Sequence, residues 1–322
     1  MFKNPLIFRI PILILLMLIA GIQLLIPLLN GANELNAIDI LSQIAGIFFI
    51  TLLIFLTYIW SQKLLGGWWA ILPPFLLTFS PIIFPYYITT AFLCTLTTYY
   101  LMEFFFKPSK WHLILTGLSF GLAQLLPFPS LILIPYFLIL ILIFYLVSVK
   151  KDWPTTEPNT RLKRFGLRGF RYFRSIIVIF IIGYLFFLIS YFLLYTSILK
   201  PIDGDYGPSW YKVNFSTELE QYHSQIAFPI NTYLPFIILI TSTFIYSCIG
   251  IIKSFLISGF KGFFDYLGVK FPEFSMIVFI AMYLLFMMFF SSGISAERLI
   301  PILPMVYILT ASGLKRFWMN KL

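Results

Sequence analysis

The sequence predicts an all-α fold, a polytopic transmembrane bundle of about ten helices with both termini in the cytoplasm, and three observations predict it. The first is composition. Of 322 residues, 60% are hydrophobic and 11% are charged, with a mean hydropathy of +0.95; soluble domains carry about 25% charged residues, so polar groups are too few here to cover a water-facing surface. The second is that apolar residues come in runs of roughly 20, the length that crosses a hydrocarbon core about 30 Å thick. The third is that these runs lack the strict in/out alternation of a membrane β-barrel. Helices close their own backbone hydrogen bonds, as lipid requires.

The first span is Ile10–Leu29. Lys3 and Arg9 precede it as in a signal peptide, but the run outlasts a signal h-region and lacks a small-residue cleavage site, so an uncleaved helix is expected. The second span, Ile40–Trp60, follows the short outer loop NGANELNAID. Trp68–Pro81 and Trp111–Leu126 are short for full crossings and are expected to be tilted, broken or paired with their neighbours. Phe84–Phe106, Pro129–Val149, Ser175–Leu199, Ile230–Ile252, Phe274–Ser292 and Glu297–Leu314 complete the series, all within a single transmembrane domain over 1–322.

Charge fixes the direction. With the N-terminus inside, cytoplasmic segments hold 19 of the 22 Lys and Arg, leaving Lys200, Lys212 and Arg298 outside, as the positive-inside rule requires. The same placement accounts for the net charge of +10 by membrane lipids as partners rather than nucleic acid. Three connections are long. The basic cytoplasmic loop 150–174 carries eight Lys and Arg and reads as a topological anchor, with anionic lipid or polyphosphate binding as the alternative. Segment 253–272 alternates aromatics with Lys261, Asp265 and Lys270 and is expected to lie in the cytoplasmic interface. The stretch 200–229 is the sizeable polar segment facing outward.

Cys94 and Cys248 lie inside apolar runs, which argues against a disulfide framework or metal site. No phosphate loop, metal-ligand spacing or nucleophile elbow is present. The spans hold almost no ionisable groups, which weighs against an ion-coupled transporter. The polar inventory gathers outside instead: Glu34 and Asp39 in the first outer loop, then Asp203, Asp205, Glu218, Glu220 and His223, and finally Glu297–Arg298 opening the last helix. A carboxylate there could serve as general base, and Arg298, with His223 as a further candidate, could bind a phosphate. Solvated loops also carry such charges with no further role. Arg298 stands against the charge rule at the outer surface, and adjacent Glu297 points away from it on a helix. A lipid phosphate is one reason for it and interfacial snorkelling another.

The last segment, AERLIPILPMVYILTASGLKRF, reads Arg-x-x-Pro-x-x-Pro from Arg298 to Pro304. It resembles the closing helix of GT-C glycosyltransferases of the protein O-mannosyltransferase and aminoarabinose-transferase type. SPIIFPYYITTAFLCTLTTYYLMEFFFKPSKWHLILTGLSFGLAQLLPFPSLILIPYF is similar to that family's middle region. The two matches cover roughly residues 60–145 and 291–318. The resemblance implies a GT-C-like bundle in the bacterial plasma membrane that transfers sugar from a polyprenyl-phosphate carrier to an acceptor on the outer face. The lipid-linked sugar is the substrate, and no cofactor is implied. Arg298 would contact the carrier phosphate, and Asp39 or Glu34 would supply the base. Ala91 and Pro127 stand where relatives have aspartate and lysine, and Leu299 follows the arginine where histidine or tyrosine is usual. NPLIFRIP resembles a stretch beyond the family's first helix and catalytic loop, which implies a diverged or N-terminally truncated member. These departures keep two alternatives open: a non-catalytic carrier-binding, flipping or assembly protein, and an uncoupled transporter.

Overall fold

The computed structural model describes residues 5–30, 37–80, 85–107, 109–125, 132–151, most of 174–190, scattered positions within 241–259, and then 270–286 and 297–319. Among these every regular element is helical and there is no sheet. The elements are α1 (Pro5–Asn30), α2 (Ala37–Leu64), a 3₁₀ turn (Gly67–Ala70), α3 (Leu72–Thr78), α4 (Pro85–Phe106), α5 (Lys110–Gln124) and α6 (Leu133–Lys151). They are followed by α7 (Ile177–Ser190), α8 (270–286), a 3₁₀ segment (Glu297–Ile302) and α9 (Leu303–Met319).

Three helices among the described residues are long and apolar enough to cross a membrane, Arg9–Ile26, Ile44–Leu64 and Leu299–Met319. The short Trp68–Pro81 span is broken into a 3₁₀ turn and a seven-residue helix, which rises only about 10 Å. Gly66 and Gly67 adopt φ of 62° and 55°, left-handed values that glycine reaches without strain. They stop α2 and turn the chain, and Pro73 and Pro74 sit in the first turn of α3, where a missing N–H costs nothing. The expected span Trp111–Leu126 forms the 15-residue α5, started by the Ser109 hydroxyl accepting the Trp111 N–H at 3.2 Å. Most of the loops 150–174, 200–229 and 253–272 lies outside the described residues, as does most of the Ile230–Ile252 span.

The chain divides into two compact units, with α4 passing from one to the other at Thr95. The first contains Met1–Thr95, Asn214–Cys248 and Met287–Leu322. There α1 packs on α2, and α9 packs on α3 and α2. Leu13, Leu16, Ala20 and Leu24 of α1 are buried, while Ile14, Leu18, Ile22 and Ile26 are exposed, the two faces of one helical period. The spanning window of α1 is 28% buried and that of α9 is 78% buried, so α9 is the central helix of this unit.

The second unit, Leu96–Val213 and Ile249–Phe286, has an aromatic core. Tyr136 of α6 meets Phe279 of α8 at 5.1 Å edge to face, and Phe120 of α5 lies 5.4 Å from both Phe137 and Phe180. Gly117 and Gly121 form a notch on α5. A Cβ on Gly117 would stand 2.8 Å from Ile182 Cγ2, and one on Gly121 would strike the Gly183 carbonyl. Small residues four apart let backbones approach this way in the absence of a hydrophobic drive between helices in lipid.

Candidate functional site

Arg298 is the second residue of the 3₁₀ segment Glu297–Ile302, which leads directly into α9. Pro301 lies inside that segment and Pro304 in the first turn of α9. Without their amide hydrogens both suit the start of a helix, whose first N–H groups have no partner in any case. From Leu303 to Gly313 every residue of α9 is buried, so the segment bearing Arg298 rises from a fully enclosed helix. Asp39 is the third residue of α2. Glu34 and His223 lie outside the described residues.

Two hydrogen bonds set how α9 lies against its neighbours. The Lys315 ammonium, near the end of α9, donates to the Leu65 carbonyl just past the end of α2 at 2.6 Å. Halfway up, the Tyr307 hydroxyl donates to Ser80 Oγ at 3.0 Å, both groups being buried. α2 and α9 therefore meet at their C-terminal ends, while Asp39 and Arg298 lie toward the N-terminal ends of the same two segments. Asp39 stands roughly 39 Å along α2 from Leu65 at 1.5 Å per residue. Arg298 stands about 29 Å from Lys315, allowing 2.0 Å per residue in the 3₁₀ segment.

Buried hydroxyls line α2 and α3. Thr57, Ser61 and Thr78 donate to the carbonyls four residues earlier, Leu53, Thr57 and Pro74, which satisfies each hydroxyl within its own helix. The Tyr58, Thr90 and Thr95 hydroxyls are buried with no partner among the described residues. Ala91, at the position where the resemblance leads one to expect an aspartate, is fully buried. Among the described residues no group of His, Cys, Asp and Glu could hold a metal ion.

Sequence reading singled out the ends of α2 and α9 but missed what joins them. The Tyr307–Ser80 bond spans 227 residues, and nothing local in either segment announces it. Burial of Arg9 was missed as well, although an arginine inside an apolar run was a usable signal. No protein-family model, no curated protein and no solved structure matches this chain.

Proposed function

We propose that the chain is a multi-pass membrane protein of GT-C-like type that transfers a sugar from a polyprenyl-phosphate carrier to an acceptor at the outer face. The observation that supports the reading is the meeting of α2 and α9 at their C-terminal ends, with Asp39 and Arg298 both toward the opposite, N-terminal ends. The resemblance of AERLIPILP and of the GLAQ-containing middle region supplies the chemistry. Arg298 stabilises the departing lipid phosphate as a bidentate cation. Asp39, or Glu34 five residues before it, takes the acceptor proton. On this reading the acceptor approaches from the aqueous side and the carrier from the lipid.

The test is transfer from a polyprenyl-phosphate sugar in proteoliposomes, comparing the wild type with Arg298→Ala and Asp39→Asn. Loss of one such stabilising group is expected to lower turnover by about 100-fold, and loss of the base by a similar factor. Equal activity of wild type and Arg298→Ala removes Arg298 from the site.

A second reading is a carrier-binding protein without turnover. Ala91 favours it, because a buried methyl replaces a carboxylate of the related enzymes. Binding of the carrier lipid with no transfer to any acceptor decides for this reading.

A further inference from the structure

The opposite end of the same unit holds an arginine that the transfer reaction does not use. Arg9 sits one helical turn into α1 and is only 4% exposed. Its Nη1 donates to Gln62 Oε1 of α2 at 3.1 Å, and its guanidinium carbon lies 5.8 Å from the centre of the Trp68 ring. The Gly66–Gly67 turn is what brings that ring back over α1. The Nε–H is buried with no partner, and no carboxylate pairs with Arg9, among the described residues. A buried guanidinium held by one neutral amide and one ring face has, among the described residues, no negative partner, and buried charges are ordinarily met by an opposite one.

Depth and surroundings identify the anion. Arg9 opens the apolar window of α1, and Leu64 closes that of α2, so the guanidinium lies at the level where hydrocarbon gives way to head groups. Lys63, Lys315 and Arg316 lie at this same end, whereas Asp39 and Glu297, the acidic residues of the unit with a described backbone, lie at the other. Ile10 and Trp68 beside Arg9 are more than half exposed, which presents an apolar and aromatic wall to acyl chains. We infer that Arg9, Gln62 and Trp68 form a binding site for the phosphate of an anionic phospholipid of the inner leaflet, seated against the α1–α2 pair. The inference needs only that the chain is membrane-embedded with the Arg9 end of the unit toward the inner leaflet, so failure of the sugar-transfer assay leaves it standing.

The full chain, purified in mild detergent and exchanged into mixed phosphatidylglycerol and phosphatidylcholine, is delipidated in steps, and retained lipid is counted by native mass spectrometry. Wild type is expected to keep a phosphatidylglycerol and to lose phosphatidylcholine. Arg9→Gln should weaken retention about tenfold, the worth of one charge-assisted hydrogen bond to a phosphate. Lys110→Gln removes the same charge from an exposed residue on α5 and should change nothing. Trp68→Ala leaves Arg9 in place and should weaken retention about threefold, which keeps the test open if Arg9→Gln fails to fold. Equal losses in Arg9→Gln and Lys110→Gln would reduce the effect to diffuse attraction and overturn the site, as would unchanged retention in Trp68→Ala. Release of the lipid by millimolar inorganic phosphate would assign the site to a free anion instead and overturn the lipid.

Discussion

The Lys315 ammonium ties the C-terminal end of α9 to the end of α2 by donating to the Leu65 carbonyl at 2.6 Å. That carbonyl lies just past α2, where the helix has run out of N–H partners of its own, so a side chain 250 residues away supplies the missing donor. Lys315→Met keeps the stem and removes the donor. It is expected to lower stability in detergent by about 1.5 kcal/mol, measured by denaturant titration against wild type. A loss below a few tenths of a kcal/mol would mean that water serves the carbonyl equally well.

Tyr307 and Ser80 fix the level of α3 against α9. Tyr307→Phe leaves the Ser80 hydroxyl without its donor and should cost about 1 kcal/mol, within the range measured for hydrogen bonds between membrane helices. Ser80→Ala should cost about as much. The double variant Tyr307→Phe/Ser80→Ala should fall short of the sum, because each single change already breaks the same bond. Strict additivity would refute the pairing.

The α5–α7 approach predicts a contrast between glycines. Gly121→Ala forces a methyl into the Gly183 carbonyl and is expected to destabilise by about 3 kcal/mol, the upper part of the overpacking range. Gly21→Ala in α1 would meet Ile47 Cγ2 at an ordinary 3.6 Å and should be neutral or gain a few tenths from helix propensity. Both are read from the same unfolding curves. Equal effects at the two sites would show that propensity rather than backbone contact sets the cost.

Orientation is testable without any activity. In a chain lacking Cys94 and Cys248, Lys63→Cys is expected to react with a charged maleimide only from the cytoplasmic side, and Asp39→Cys only from outside. The reverse pattern would invert the charge-based assignment. In the chain with its own cysteines, Cys94 is fully buried and should stay unmodified until the protein unfolds.

Much of the fold was legible in the residues. The limits of α1, α2, α4 and the Glu297–Met319 segment fall within a few residues of the hydropathy runs, because run length and backbone self-sufficiency in lipid leave few other solutions. Trp68–Pro81 was legible as too short to cross, but the place of its break was not. Its composition is as apolar as its neighbours, but two left-handed glycines and a proline pair break it where an averaged hydropathy stays high. The candidate site was legible only at its ends, as Arg298 and Asp39.

What the sequence determined by itself is the helical class and the lengths of the principal apolar helices, since each depends on how a residue's own chemistry meets water or hydrocarbon. What only the tertiary structure decided is partnership. Leu, Ile and Phe face lipid or protein with nearly equal ease, so composition cannot say which helix is central, and α9 is. The Gly117–Gly121 spacing was visible in the chain, but its partner Gly183 was not. Arg9 and Arg298 look alike as arginines at the heads of apolar runs. It took the packing of α1 against α2 to enclose Arg9 with Gln62 and Trp68, because the burial of a charge is a property of its neighbours and not of its own position in the chain.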